Sequence, residues 1–203
     1  MSIGTYSELK TAVSDFLNRQ DLTAIVPTFI ALAEAGFNRA LRHFSQETIA
    51  TISMDAAREN LPTDWVETIR FALTDLGEIE LVSHAMMMDL RATEEGSGTP
   101  RYFTHSAGQI EVYPAPGSAT SGELLYFAKV PALSDGSPTN WLLTSAPDVY
   151  LYGALLHSAP YLKDDARVPV WQALYGQAMA ELQLSSDRAK YSGPLRMKTK
   201  LGN

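Results

Sequence analysis

Hydrophobic and polar positions change their period twice along the chain. From Thr5 to Gln20, Leu9, Val13, Phe16 and Leu17 fall at helical spacing, with Thr5 or Ser7 placed to cap and Glu8 in the first turn, where a carboxylate offsets the positive end of the helix dipole. Pro27 suits the first turn of a second helix running to about Arg42. There Ile30, Ala33, Phe37 and Leu41 face one way, while Phe29, Leu32 and Ala40 put apolar surface on other sides. A helix apolar around so much of its girth packs between neighbours, and another subunit is a candidate for one of them. Phe29, Ile30, Ala33, Phe37 and Leu41 are the expected inter-subunit residues.

Between Gln46 and Asp55 the period drops to two. Thr48, Ala50, Ile52 and Met54 alternate with Glu47, Ile49, Thr51 and Ser53, which predicts a strand. Leu61-Pro62-Thr63-Asp64-Trp65 reads as a turn and Val66 to Leu73 as a second strand. Ser83 caps a short helix through Arg91, whose Met86, Met87 and Met88 read as adaptable packing rather than a cofactor site. After a polar loop from Thr93 to Pro100, three strands follow: Arg101 to His105, Gln109 to Tyr113 and Glu123 to Lys129. Ala107-Gly108 and Pro114-Ala115-Pro116-Gly117 separate them, and the order predicts an antiparallel meander.

The helical period then returns. Ser145 and Pro147 open a helix towards Leu162, with Val149, Leu151, Tyr152, Leu155, Leu156 and Ala159 apolar and Pro160 kinking its last turn. A further helix runs from Asp164 or Asp165 to Ser186, bearing Val170, Trp171, Leu174, Ala178 and Leu182 on one side. The predicted fold class is therefore α+β. A helical bundle, two N-terminal helices within 5–42 and two C-terminal helices within 145–187, holds a central antiparallel β-rich insertion at about 46–130. Residues 1–187 are expected to form a single domain, followed by an extended basic tail over 188–203.

Charge sharpens that division. Residues 188–203 hold Arg188, Lys190, Arg196, Lys198 and Lys200 and no acid, so removing their +5 from the formal −7 leaves −12 on residues 1–187. A body of that sign repels nucleic acid, whereas a short basic tail can seek an acidic partner or phosphate. No cysteine is present, which excludes disulfides, thiolate metal sites and a cysteine nucleophile, and suits assembly in a reducing cytoplasm. The first ten residues lack a basic region followed by an apolar run, and no stretch of 18 apolar residues occurs, so a soluble protein without membrane contact is expected.

Candidate chemistry is sparse. His43, His84, His105 and His157 fall in separate elements without metal-ligand spacing, and neither GxxxxGK[ST] nor GxSxG occurs. Glu94-Glu95 reads as part of a solvated loop, and Asp164-Asp165 as acids favoured by a helix dipole. No catalytic residue, metal site or cofactor is expected, and the protein is read as non-enzymatic.

Three stretches carry a resemblance. They are the run from Pro27 to Arg39; Pro100-Arg101-Tyr102-Phe103, Gly108-Gln109-Ile110 and Tyr113-Pro114-Ala115-Pro116, continued by Tyr126 and Leu133; and Asn140-Trp141-Leu142-Leu143, Pro147 to Leu155, Ala159 to Asp165 and Trp171. Together they resemble the head-to-tail adaptors of tailed bacteriophages, a family that includes connector and tail tubular proteins. The resemblance implies a ring of neighbouring adaptor subunits, commonly a dodecamer, docked under the portal protein at the virion neck. It also implies contact with a tail or nozzle protein below and a channel that DNA crosses without specific binding. An extended C-terminal segment reaching into the portal is implied as well, which here means Arg188, Lys190, Leu195, Arg196, Met197, Lys198 and Lys200. A tail-completion or head-closure protein is the alternative within the structural class, and a DNA-binding module using the basic tail stands outside it.

Overall fold

A computed structural model describes residues 3–74, 76–93, 96–162 and 166–191. Helix α1 (Tyr6–Leu17) begins at Thr5, whose hydroxyl accepts from the Glu8 N–H while the Glu8 carboxylate accepts from the Thr5 N–H. This reciprocal capping box satisfies two amide donors that the first turn leaves without partners. The helix stops before the expected Gln20 because Asn18 takes a left-handed conformation, φ 53°, that closes the last turn. Helix α2 (Val26–Ala40) carries Pro27 in its first turn, as its fixed φ favours.

Next come β1 (Glu47–Met54), β2 (Arg58–Asn60), β3 (Trp65–Leu73), β4 (Gly77–Glu78), β5 (Glu80–Leu81) and α3 (His84–Thr93). They are followed by β6 (Ser97–Gly98), β7 (Tyr102–Ser106), β8 (Gln109–Tyr113), β9 (Ala115–Pro116) and β10 (Thr120–Ala128). Helices α4 (Trp141–Ser145), α5 (Pro147–Ser158) and α6 (Val168–Lys190) complete the order, with a 3-10 turn at Ala159–Tyr161 where the kink at Pro160 was expected. The chain divides into two compact units, Met1–Ser45 with Val130–Asn203, and Gln46–Lys129.

The β unit is a sandwich of two four-stranded sheets, ordered β1-β10-β3-β4 and β2-β8-β7-β5. Ile52, Met54, Phe71, Leu73, Leu124 and Tyr126 from the first sheet meet Phe103, Ile110 and Val112 from the second in one core. The expected meander is corrected here. β7 and β8 form a hairpin through Ala107 and Gly108, both at positive φ, but β10 leaves them and inserts between β1 and β3. Pairing with β1 over all eight of its residues, Glu47 opposite Phe127 to Met54 opposite Thr120, offers β10 a longer ladder than the five-residue hairpin does. Nor is the pairing purely antiparallel, since β5–β7 and β6–β9 are parallel. Helix α3 covers the outer face of the second sheet with Met87 and Leu90 against Tyr113, so only the middle methionine of the run is buried. Gly122 admits the Phe71 ring against the β10 backbone: a methyl group there would stand 2.5 Å from Phe71 Cε2.

In the helical unit α5 is the central helix, with Val149, Tyr150, Leu151, Ala154 and Leu155 all buried. Phe37 meets Tyr150 edge-on at 5.0 Å, and Phe29 meets Tyr161 at 5.2 Å, so rising numbers on α2 match falling numbers beyond the start of α5. The two helices are antiparallel. Gly153 permits their close approach, since a Cβ there would lie 3.1 Å from Phe37 Cζ and 3.3 Å from Ala33 Cβ. Helix α6 is also antiparallel to α5: Ser145, Ala146 and Asp148 share a small groove with Ala178, Leu182 and Ser185. It follows that α2 and α6 run parallel to each other, and the stacking of Phe37 on Tyr175 at 6.5 Å agrees.

Helix boundaries shift on the C-terminal side. Asn140, not Ser145, supplies the first cap, its Oδ1 accepting from the Leu143 N–H at 2.8 Å, and α5 starts afresh after Ala146. Helix α6 starts at Val168, with Pro169 in its first turn, rather than at Asp164 or Asp165, which lie outside the described residues. It continues past Ser186 to Lys190, so Arg188 and Lys190 belong to its last turn, where cations oppose the negative end of the dipole.

Candidate assembly site

The polar residues inside the helical unit converge on one buried network. Glu34, on α2, lies among Ile30, Ala33 and Phe37 because helical spacing turns it inward. Its Oε1 accepts from the Leu133 N–H at 2.8 Å and from the Tyr150 hydroxyl at 3.2 Å. The same hydroxyl accepts from Asn140 Nδ2 at 2.6 Å, and that amide also donates to the Pro131 carbonyl at 2.7 Å. One turn along α2, Asn38 Oδ1 accepts from the Val130 N–H at 2.8 Å. The irregular segment 130–140 is thus latched along α2 and onto α5, with its backbone donors satisfied where burial would otherwise penalise them. Burial pushes the Glu34 carboxyl above the usual carboxylate range, against the opposing pull of the Leu133 N–H and the Tyr150 hydroxyl. Burial foremost raises the Tyr150 hydroxyl as well.

At the end of α2, His43 is buried, stacks on Trp141 at 5.0 Å and lies 3.3 Å from the Ser185 hydroxyl. The neighbouring Phe44 N–H donates to Ser186 Oγ at 2.9 Å, so the turn after α2 is clamped by α6. In the β unit, buried Glu111 is met by Arg58 from β2 at 3.0 Å and by Arg91 from α3. Two other histidines have local explanations. His105 contacts Thr68 Oγ1 at 2.9 Å inside the sandwich and is held below its ordinary pKa by burial; His157 is lowered by burial and by Arg39. Among the described residues no group of three or more His, Asp or Glu side chains could hold a metal ion. A groove of about 560 Å³ beside α1 is lined by Ser7, Lys10, Ser14, Asp15 and Arg19 without a nucleophile–base pair.

The model of the SU10 adaptor protein family matches residues 4–198. The chain belongs to this family. The match spans both units and nearly the whole sequence, and it makes the protein a phage adaptor; no curated protein matches it.

In this SU10 adaptor, the residues that carried the resemblance in sequence prove to have structural tasks. Asn140 caps α4 and holds Tyr150, Trp141 stacks on His43, and Gly153 seats Phe37. Glu34 was not singled out in the sequence, although a lone acid amid the apolar girth of α2 was the available signal. The five expected inter-subunit residues, Phe29, Ile30, Ala33, Phe37 and Leu41, are each 2% exposed or less, inside the adaptor's own core. Packing within the helical unit takes up that face, and on the opposite side of α2 Leu32 is 46% exposed. Of the expected docking tail, Arg188 and Lys190 are exposed on α6, whereas Leu195, Arg196, Met197, Lys198 and Lys200 lie outside the described residues, as do Glu94 and Glu95.

Proposed function

We propose that copies of this adaptor close a ring, expected to be a dodecamer, that joins the portal protein to the tail or nozzle protein at the virion neck and leaves a channel for DNA. The observation that carries this reading is the family match over residues 4–198. Two physical features support it. A closed ring requires each copy to offer two different, complementary faces, and α2 and α6, both packed on α5, each keep an exposed face of their own. The charge of −12 on residues 1–187 repels the phosphate backbone, as suits DNA that passes without being held, while Arg188 and Lys190 at the end of α6, with Arg196, Lys198 and Lys200 beyond it, offer a basic arm to the portal. No helix among the described residues is long and apolar enough to cross a membrane.

Cryo-electron microscopy of the protein mixed with its cognate portal tests the proposal, with the full chain compared against one ending at Tyr191. A cut at Asp187 would remove the last turn of α6, whereas a cut after Tyr191 spares it. A ring that is lost on truncation supports both the adaptor role and the docking arm. A ring unaffected by truncation discards the arm alone, and failure to bind the portal at all overturns the reading in favour of a tail-completion or head-closure protein.

A further inference from the structure

The ring reading leaves open which surfaces join neighbouring copies, and the helical unit carries two matched stripes. On α2, opposite the side chains packed on α5, Thr28, Leu32, Ala35 and Arg39 are exposed at intervals of four, three and four residues. On α6, away from the buried Trp171, Ala178 and Leu182, the exposed residues Val170, Leu174, Gln177 and Glu181 repeat the same intervals. Intervals of this kind draw a nearly straight seam along a helix and suit a partner helix crossing at a shallow angle. Leu32 and Leu174, 46% and 36% exposed, are the apolar centres of the two seams.

We infer that adjacent copies of the adaptor meet by parallel pairing of the α2 stripe of one with the α6 stripe of the next. This rests on the ring reading. Within one copy both helices are antiparallel to α5 and therefore parallel to each other. A ring axis parallel to these helices would preserve that direction from copy to copy, bringing the α2 of one copy and the α6 of its neighbour head beside head. Charge decides the register. With Leu32 against Leu174, parallel pairing sets Arg39 opposite Glu181, seven residues further along each helix. Antiparallel pairing about the same contact sets Arg39 opposite Arg167, two like charges.

Both charges are available for such a contact. Arg39 is exposed and has no carboxylate partner among the described residues. The Glu181 carboxylate accepts from Gln177 Nε2 at 2.8 Å and meets no cation among the described residues; none of the described residues lining its groove with Asp148 is a lysine or arginine. Because the two stripes are different surfaces, each copy uses one for each neighbour, and the contact repeats until the ring closes.

The chain has no cysteine, so the only thiols in a variant carrying Leu32→Cys and Leu174→Cys are the two introduced. Mild oxidation of that full-length variant bound to its cognate portal, read on a denaturing gel without reductant, is expected to give a ladder extending beyond dimers, with each single variant remaining monomeric. Independently, Arg39→Glu or Glu181→Arg should each lower ring yield by about tenfold at fixed concentration, and the two together should restore it. Rings that form without a ladder and ignore the charge changes overturn this interface while leaving the ring reading intact. Dimers from a single-cysteine variant overturn it in favour of a two-fold contact. Absence of rings from the unaltered protein overturns both readings.

Discussion

The two units bury a carboxylate by opposite means. In the helical unit Glu34 has no cation and is held by an N–H and a hydroxyl, so burial raises its pKa. In the β unit Glu111 is met by Arg58 and Arg91, two cations delivered by a strand and a helix. One acid is open to neutralisation by a proton, whereas the other faces two cations. The same contrast extends to architecture: the latch fastens an irregular segment to a bundle, whereas the arginines fasten α3 and β2 to a strand already paired on both sides.

The largest expected effect comes from removing both cations. Arg58→Ala with Arg91→Ala leaves Glu111 buried and uncompensated, which should destabilise the β unit by about 3–5 kcal/mol. Either change alone should cost about 1–2 kcal/mol, because the remaining arginine still neutralises the acid. Native-state hydrogen exchange at β7 and β8 amides reads the loss, and a double-variant cost no larger than the sum of the two singles would show that the arginines do not share one carboxylate.

A smaller effect separates the two close-approach glycines. Gly122→Ala forces the fully buried Phe71 ring to move and should cost about 2–3 kcal/mol. Gly153→Ala asks Phe37 to shift by only tenths of an ångström and gains about 1 kcal/mol in helix propensity, leaving a net change within about 1 kcal/mol. Chemical denaturation of both variants checks the ranking, and a costlier change at Gly153 would contradict the packing described.

The smallest effect is a slope against pH. Because the folded-state pKa of Glu34 is raised, the native state holds that proton more tightly than the unfolded chain does. Stability of the helical unit should therefore fall as pH climbs from the ordinary carboxylate value through the raised one. Glu34→Gln keeps an oxygen for the Leu133 N–H and the Tyr150 hydroxyl and should flatten that slope. His105 and His157 act with the opposite sign: their lowered pKa values make stability fall as pH drops below the ordinary histidine value. That second slope should survive in Glu34→Gln, and thermal melts between about pH 4 and 8 distinguish the two.

What was legible in the sequence was whatever short-range chemistry writes. The Thr5–Glu8 capping box, Pro27 at the start of α2, the Ala107-Gly108 turn and the alternation that buries Ile52 and Met54 all depend on residues a few positions apart. The placement of β10 was not legible, because its partners Glu47–Met54 and Trp65–Leu73 lie more than forty residues away and nothing local records them. Which face of α2 is left exposed was hidden for a related reason. Periodicity identified α2 as apolar on several sides, but only the packed fold shows that α5 occupies the Phe37 side and leaves the Leu32 side open. The Glu34–Tyr150–Asn140 latch joins three distant segments and was likewise out of reach of local pattern.

The central position of α5 also governs the order in which the adaptor can be made. All of Gln46–Lys129 is synthesised before α5 begins at Pro147, so the β unit can finish folding while α1 and α2 still lack the helix they pack against. A nascent chain therefore carries an incomplete helical unit, with Phe29 and Phe37 bare, until α5 has been made. On the proposed ring reading, the α6 stripe is complete only when α6 has folded onto α5, so assembly would wait for that helix rather than draw on chains that still lack it.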